Sequence, residues 1–197
     1  TAKIFSFEPT YYAMEKFTKN LSLNPSLTSR IEPIQSFVFR ETRQNPELLA
    51  YSSWDVSSTN RENRHKIHGG YLMPTKNVHS ISLDDFCQTR GIHTIDLIKI
   101  DTDGYEYDVL RGAERSLKLF RPYVVFEVGN YFLKEKHLCF LDIEKFFNSL
   151  CYSLYDAVNC HIVNEKNYKN FIPEKGAVDI LAIPNGNFQD SCRPCVT

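Results

Sequence analysis

Two rhythms of apolar and polar positions run along the chain. Short apolar runs rich in β-branched and aromatic residues predict strands at Lys3–Phe7, Arg30–Phe39, Ile95–Ile100, Tyr123–Val128, Tyr152–Val158 and Val178–Pro184. Between them, apolar residues recur at three- and four-residue spacing and predict helices. The first such face is Tyr11, Met14, Phe17 and Leu21, the second Val109, Leu110, Ala113, Leu117 and Phe120, the third Leu141, Ile143, Phe146, Phe147 and Leu150. Ser80 to Ile92 reads as a short strand entering a helix, with Ser82 as N-cap and Gly91 as its stop. Pro33 places its strand at an edge or a bulge. Strands alternating with helices predict an α/β fold with a largely parallel sheet. Ile95–Ile100 is expected at the centre, buried on both faces, with the stem of Lys99 laid along the sheet.

The pattern is lost from Arg40 to His79. Leu48–Tyr51 suits a strand, but Ser52 to Gly70 is polar, with a basic cluster at Arg61, Arg64, His65, Lys66 and His68. A long irregular insertion in a compact domain is commonly a functional loop or a disordered one. Asn185 to Thr197 reads as a tail, which leaves one domain over residues 1–184 and a tail over 185–197. A chain of 197 residues, 42% hydrophobic, is long enough for one sizeable core. Its net charge of -1 leaves no basic footprint for nucleic acid or an anionic membrane. No apolar run nears the roughly 20 residues of a membrane span. The six cysteines are scattered, unlike a dense disulfide framework, so free thiols and a cytoplasmic setting are the default expectation. Cys192-Arg-Pro-Cys195 has redox-motif spacing without the strand-to-helix setting such a motif needs, and is read as inert. Thr1-Ala-Lys-Ile-Phe5 enters a strand at once with no initiator Met, so an upstream segment is expected.

Four pieces of sequence, in order, resemble one family. Phe5-Ser-Phe-Glu-Pro9 is followed by a helix ending in Lys19-Asn-Leu-Ser-Leu-Asn24. Ser82-Leu-Asp-Asp-Phe86 precedes the central run. Ile98-Lys-Ile-Asp-Thr-Asp-Gly-Tyr-Glu106 leads into Val109-Leu-Arg-Gly-Ala113, and Arg121-Pro122 into Phe126-Glu127. Together they are similar to the FkbM family of AdoMet-dependent methyltransferases. The resemblance runs from about Lys3 to Pro184 and is weakest from Arg40 to His79. It implies a Rossmann-like class I methyltransferase sheet, mostly parallel with an antiparallel last strand. That family carries a glycine-rich segment on a first strand and turn ahead of the Phe-Glu-Pro strand. The resemblance therefore implies a sheet lacking its first strand and glycine-rich loop, about 30 residues or one βαβ step. A strand edge left open in this way invites pairing with a second copy.

The resemblance also implies the function: transfer of a methyl group from S-adenosyl-L-methionine to a hydroxyl of a sugar or secondary metabolite. The acceptor is then a small molecule or glycan. Two other readings stay open at this point, a non-catalytic interaction module and an NAD-dependent oxidoreductase. Glu8 ends a strand where a carboxylate accepts hydrogen bonds from ribose hydroxyls, with Gln35 and Ser36 as the adenine-side candidates. Asp101 is the first choice for the base that takes the acceptor's proton, and His68 the second. Asp103 and Glu106 suit a capping box at the start of the following helix. Oxygens of Asp101, Glu127 and Asn130, on neighbouring strand ends, are a candidate set for Mg2+. The rival reading gives Glu127 a hydrogen bond from Lys99 or a helix N-terminus, with no metal bound. Tyr71 or Trp54 would stack on a sugar face, and Asn130 is a further acceptor-binding candidate.

Overall fold

The computed structural model describes residues 2–44, 46–52, 70–75 and 77–186. Their contacts divide the chain into two compact units, Thr1–Ser82 and Leu83–Thr197.

In the first unit, β1 (Ile4–Phe7) pairs in parallel with β2 (Ile31–Ile34), and α1 (Tyr11–Ser22) and α2 (Pro25–Thr28) connect them. Thr10 caps α1, its hydroxyl accepting from Ala13 N at 3.3 Å. Leu21 is the one residue of α1 that is fully buried, while Tyr11 lies exposed. The expected strand from Arg30 to Phe39 breaks at Gln35 and Ser36 into β2 and β3 (Phe37–Val38), and β3 pairs in parallel with β6 (Ser80–Ile81). Pro33 has no N–H to donate, and in the two-stranded β1–β2 sheet its strand has a free edge, as its chemistry requires. β4 (Ala50–Ser52) and β5 (Tyr71–Met73) form an antiparallel pair inside the stretch where periodicity fails.

The second unit carries a four-stranded sheet in the order β7-β8-β10-β9, formed by Leu97–Ile100, Tyr123–Gly129, Ala177–Pro184 and Tyr152–Asp156. β7 and β8 are parallel, and β10 runs antiparallel to both its neighbours, as expected of the last strand. Val124, Phe126 and Val128 alternate with Tyr123, Val125 and Glu127 along β8, so one face carries the core. Against that face lie Leu110, Leu117, Phe147 and Leu150, all fully buried, with Phe126 stacked on Phe147 at 5.2 Å. The helices there are α3 (Leu83–Arg90), α4 (Glu106–Arg111), α5 (Glu114–Phe120), α6 (Asn130–Glu135) and α7 (Phe140–Ser149).

Several expectations are corrected here. β7 is not a central strand buried on both faces. It is the outer strand of this sheet, and Leu97 is 60% exposed. The predicted single helix after it is two, α4 and α5, parted at Gly112 and Ala113. Asp84 of α3 sets the second start, accepting from Arg115 N, Ser116 N and the Ser116 hydroxyl at 2.7–3.0 Å. Cys87, Cys139 and Cys160 are free thiols, but Cys151 is disulfide-bonded, its partner lying outside the described residues.

Candidate active site

The sequence-predicted residues fall into one group in each unit. In the first, Glu8 follows β1 and Gln35 follows β2, one step beyond the Phe7–Ile34 pair of the parallel ladder. The two side chains thus leave adjacent strands at their carboxyl ends, where open α/β sheets hold ligands. Glu8 is held in place by Thr10: its Oε1 accepts from Thr10 N at 2.7 Å and from the Thr10 hydroxyl at 2.6 Å. Oε2 is left with no partner among the described residues. Gln35 Nε2 is buried with no hydrogen-bond acceptor among them. A buried donor left unsatisfied costs about 1–3 kcal/mol, so a donor in this position calls for an acceptor from a ligand. Ser36 does not share that role. It is fully buried, and its hydroxyl donates to Phe37 O at 2.9 Å and His79 O at 3.1 Å. Ser36 is a backbone tie, and its expected place at the adenine is corrected.

The second group gathers at the carboxyl ends of β7 and β8. Asp101 stands one step past the Ile100–Phe126 pair, beside Glu127, and Asp179 of β10 faces Glu127 from the other side. Lys99 Nζ lies 3.0 Å from Asp179 Oδ1 and 3.5 Å from Asp101 Oδ2, and donates to Ile100 O at 3.3 Å. Its pKa is raised because hydrogen bonding and attraction to these carboxylates outweigh the opposing effect of burial. The rival reading that Lys99 bonds Glu127 is therefore corrected; the ammonium bridges the two aspartates instead.

The turn between β7 and α4 is built on Glu106. Only 5% exposed, its Oε1 accepts from Thr102 N at 2.9 Å, the Thr102 hydroxyl at 3.0 Å and Gly104 N at 3.2 Å. Burial raises the Glu106 pKa against the pull of these bonds. The expected capping box with Asp103 does not form: the N-cap of α4 is Tyr105, and Asp103 lies in the left-handed region at φ +50°. Glu106 instead closes the loop from inside. Gly104 has φ +106°, and a Cβ there would come within 3.0 Å of Phe132 Cδ1. That close approach sets α6 against the turn.

Glu127 is half-buried and makes no hydrogen bond or ion pair among the described residues. Burial, then the charges of Asp101, Glu106 and Asp103, push its carboxyl up to about 7, with Lys99 opposing. Tyr131, at the start of α6, is raised to about 12 by burial and by Glu127, Asp103, Glu106 and Glu135, so it remains a donor.

The metal expectation is corrected. Asn130 Nδ2 donates to Ile172 O at 3.4 Å and Pro173 O at 3.2 Å, which ties α6 to the loop before β10. Asp101 is committed to Lys99. Among the described residues no three of His, Cys, Asp and Glu are grouped to hold a metal ion. The expected Mg2+ set is therefore not found among the described residues, and Asn130, whose Oδ1 these bonds leave unused, stays an acceptor-binding candidate. Tyr71 opens β5, half-buried. His68 and Trp54 lie outside the described residues. No described helix is long and apolar enough to cross a membrane.

The methyltransferase FkbM domain family matches residues 1–154. The crystal structure of methyltransferase FkbM from Methylobacillus flagellatus KT superposes with a TM-score of 0.52 at 16% identity, over 92% of this chain and 36% of that one. The chain thus spans about a third of the length of that protein. No curated protein matches.

Proposed function

From the premise that this chain belongs to the FkbM methyltransferase family, we propose that it takes part in AdoMet-dependent methylation of a hydroxyl group on a sugar or secondary metabolite. The observation that carries the reading is the pair at the ends of β1 and β2. Glu8 offers a free carboxylate oxygen suited to ribose hydroxyls, and Gln35 a buried donor lacking an acceptor, suited to an adenine nitrogen. The residues present therefore fit the nucleoside of AdoMet. When bound, AdoMet supplies a methyl group made electrophilic by its sulfonium. In the second unit, Asp101 and Glu127 present carboxylates that can take a hydroxyl proton, and Lys99 limits their mutual repulsion. The Glu106-tied turn holds Asp101 at the strand end.

We propose further that the sheet is completed by a Rossmann-type first strand beside β7, with its glycine-rich turn. Support comes from the outer position of β7 and the exposure of Leu97, since parallel strands are ordinarily covered. Where that strand is wanting, the same edge is the place for a second copy to pair.

A thermal-shift comparison of AdoMet, S-adenosylhomocysteine and NAD on the full-length protein tests the reading. Stabilisation by the first two and not by NAD is expected. Stabilisation by NAD alone would turn the assignment to an oxidoreductase, and none by any of the three to an interaction module.

A further inference from the structure

We propose that Glu127, rather than Asp101, is the residue that accepts the proton of the methyl acceptor's hydroxyl. The assignment rests on the methyltransferase reading above. Geometry separates the carboxylates. Glu106 is consumed by three donors of its own loop and is nearly closed to solvent. Asp101 has a 65% exposed side chain and a salt-bridge partner in Lys99. Water and the Lys99 ammonium already occupy the Asp101 oxygens, which leaves them less open to a ligand. Glu127 is half-buried, lies between Asp101 and Asp179 in the sheet register, and has no hydrogen bond or ion pair among the described residues. Its lone pairs are open to a ligand at the carboxyl end of the sheet.

The groups facing it come from four elements. Lys99 on β7 and Asp101 just beyond it lie on one side and Asp179 of β10 on the other, while Asp103 and Glu106 come from the turn and α4, and Tyr131 from α6. Their combined field is negative, relieved only by Lys99. A base is most effective when its pKa sits near the working pH, and a carboxyl at about 7 meets that condition. Tyr131 keeps its proton. In the step itself, the proton leaves the acceptor oxygen for a Glu127 oxygen. The electron pair left on the acceptor oxygen forms the new bond to the methyl carbon, and the pair of the broken sulfur–carbon bond stays on sulfur. Charge balances: the sulfonium becomes a neutral thioether and the carboxylate a neutral acid.

The first measurement needs no substrate. Carbon-13 carboxyl NMR of the glutamate-labelled chain, with Glu127→Gln assigning the signal, is expected to show Glu127 titrating near neutrality. Asp101→Asn should move that titration toward the ordinary carboxylate range by removing one of the repelling charges. The second follows transfer of labelled methyl from AdoMet to methyl glucoside by the full-length protein. Glu127→Gln is expected to lower the rate by about 10²–10⁴-fold with S-adenosylhomocysteine affinity unchanged. Glu127→Ala should regain rate when formate is added. A Glu127 signal in the ordinary carboxylate range, or Glu127→Gln turnover equal to wild type, would overturn the assignment and leave the methyltransferase reading standing. Failure of the wild-type protein to bind S-adenosylhomocysteine would overturn that reading, and the assignment with it.

Discussion

Replacing Glu127 by Gln is expected to stabilise the protein in a pH-dependent way. The folded chain holds the Glu127 proton up to about pH 7, against an ordinary value of 4.5. Between those limits the folded state binds more protons than the unfolded one, so this group's contribution to stability declines as pH rises. The contribution is fully present below about pH 4.5 and gone above about pH 7, where the carboxylate is charged in both states. The difference corresponds to about 3 kcal/mol at full strength. The side chain is partly exposed, and solvent screening reduces this to about 1–2 kcal/mol. Gln keeps the shape of the protonated acid and never ionises. Glu127→Gln should therefore match wild type at pH 4 and exceed it by about 1–2 kcal/mol at pH 8. Urea unfolding followed by circular dichroism at both pH values measures this. Equal stability at pH 8, or a loss there, would refute the claim that burial and neighbouring carboxylates strain the ionised form.

Three further outcomes follow from the same packing. Glu106→Ala removes the acceptor of three donors and should cost about 2–4 kcal/mol in urea unfolding, whereas Glu106→Gln keeps an acceptor oxygen and should cost under about 1 kcal/mol; equal losses would contradict the loop-tying role. Gly104→Ala meets both a left-handed backbone and the Phe132 ring, and a loss of about 1–3 kcal/mol is expected, with an unchanged melting temperature as the contrary result. The 197-residue chain leaves β7 at the sheet edge, so light scattering should show association as concentration rises; Leu97→Lys should suppress it, and a concentration-independent monomer would count against the open edge.

Much of this architecture was legible in the amino-acid order, because burial imposes periodicity. Val124, Phe126 and Val128 announce a strand, and Leu110 and Leu117 announce helix faces, since each must be turned to the same core. Position within a sheet leaves a fainter trace. Ile95–Ile100 is apolar enough for a central strand, yet nothing local says whether a neighbour exists on its far side. The break between α4 and α5 depends on Asp84, a residue some 30 positions earlier, and a local pattern cannot carry such a contact. The site divides in the same way. Glu8, Gln35, Asp101 and Glu127 could be named as candidates because strand ends can be read from where an apolar run stops. Ser36 was misread because a polar residue at a strand end looks the same whether it meets a ligand or a backbone carbonyl. The tie that Asn130 Nδ2 makes to Ile172 and Pro173 was equally hidden, since those carbonyls lie some 40 positions later. The ionisation of Glu127 depends on charges gathered from β7, the following turn and α4, and appears only once these are folded together.

The central claim, that Glu8 receives the nucleoside of AdoMet, is tested most directly by calorimetric titration of S-adenosylhomocysteine into the full-length protein and its Glu8→Ala variant. One Glu8 oxygen is fixed by Thr10 and the other is open, so the variant loses a charge-assisted contact. Wild type is expected to bind, and Glu8→Ala to lose about 1.5–3 kcal/mol, roughly 10- to 150-fold in affinity. Equal affinity in the two proteins would contradict it.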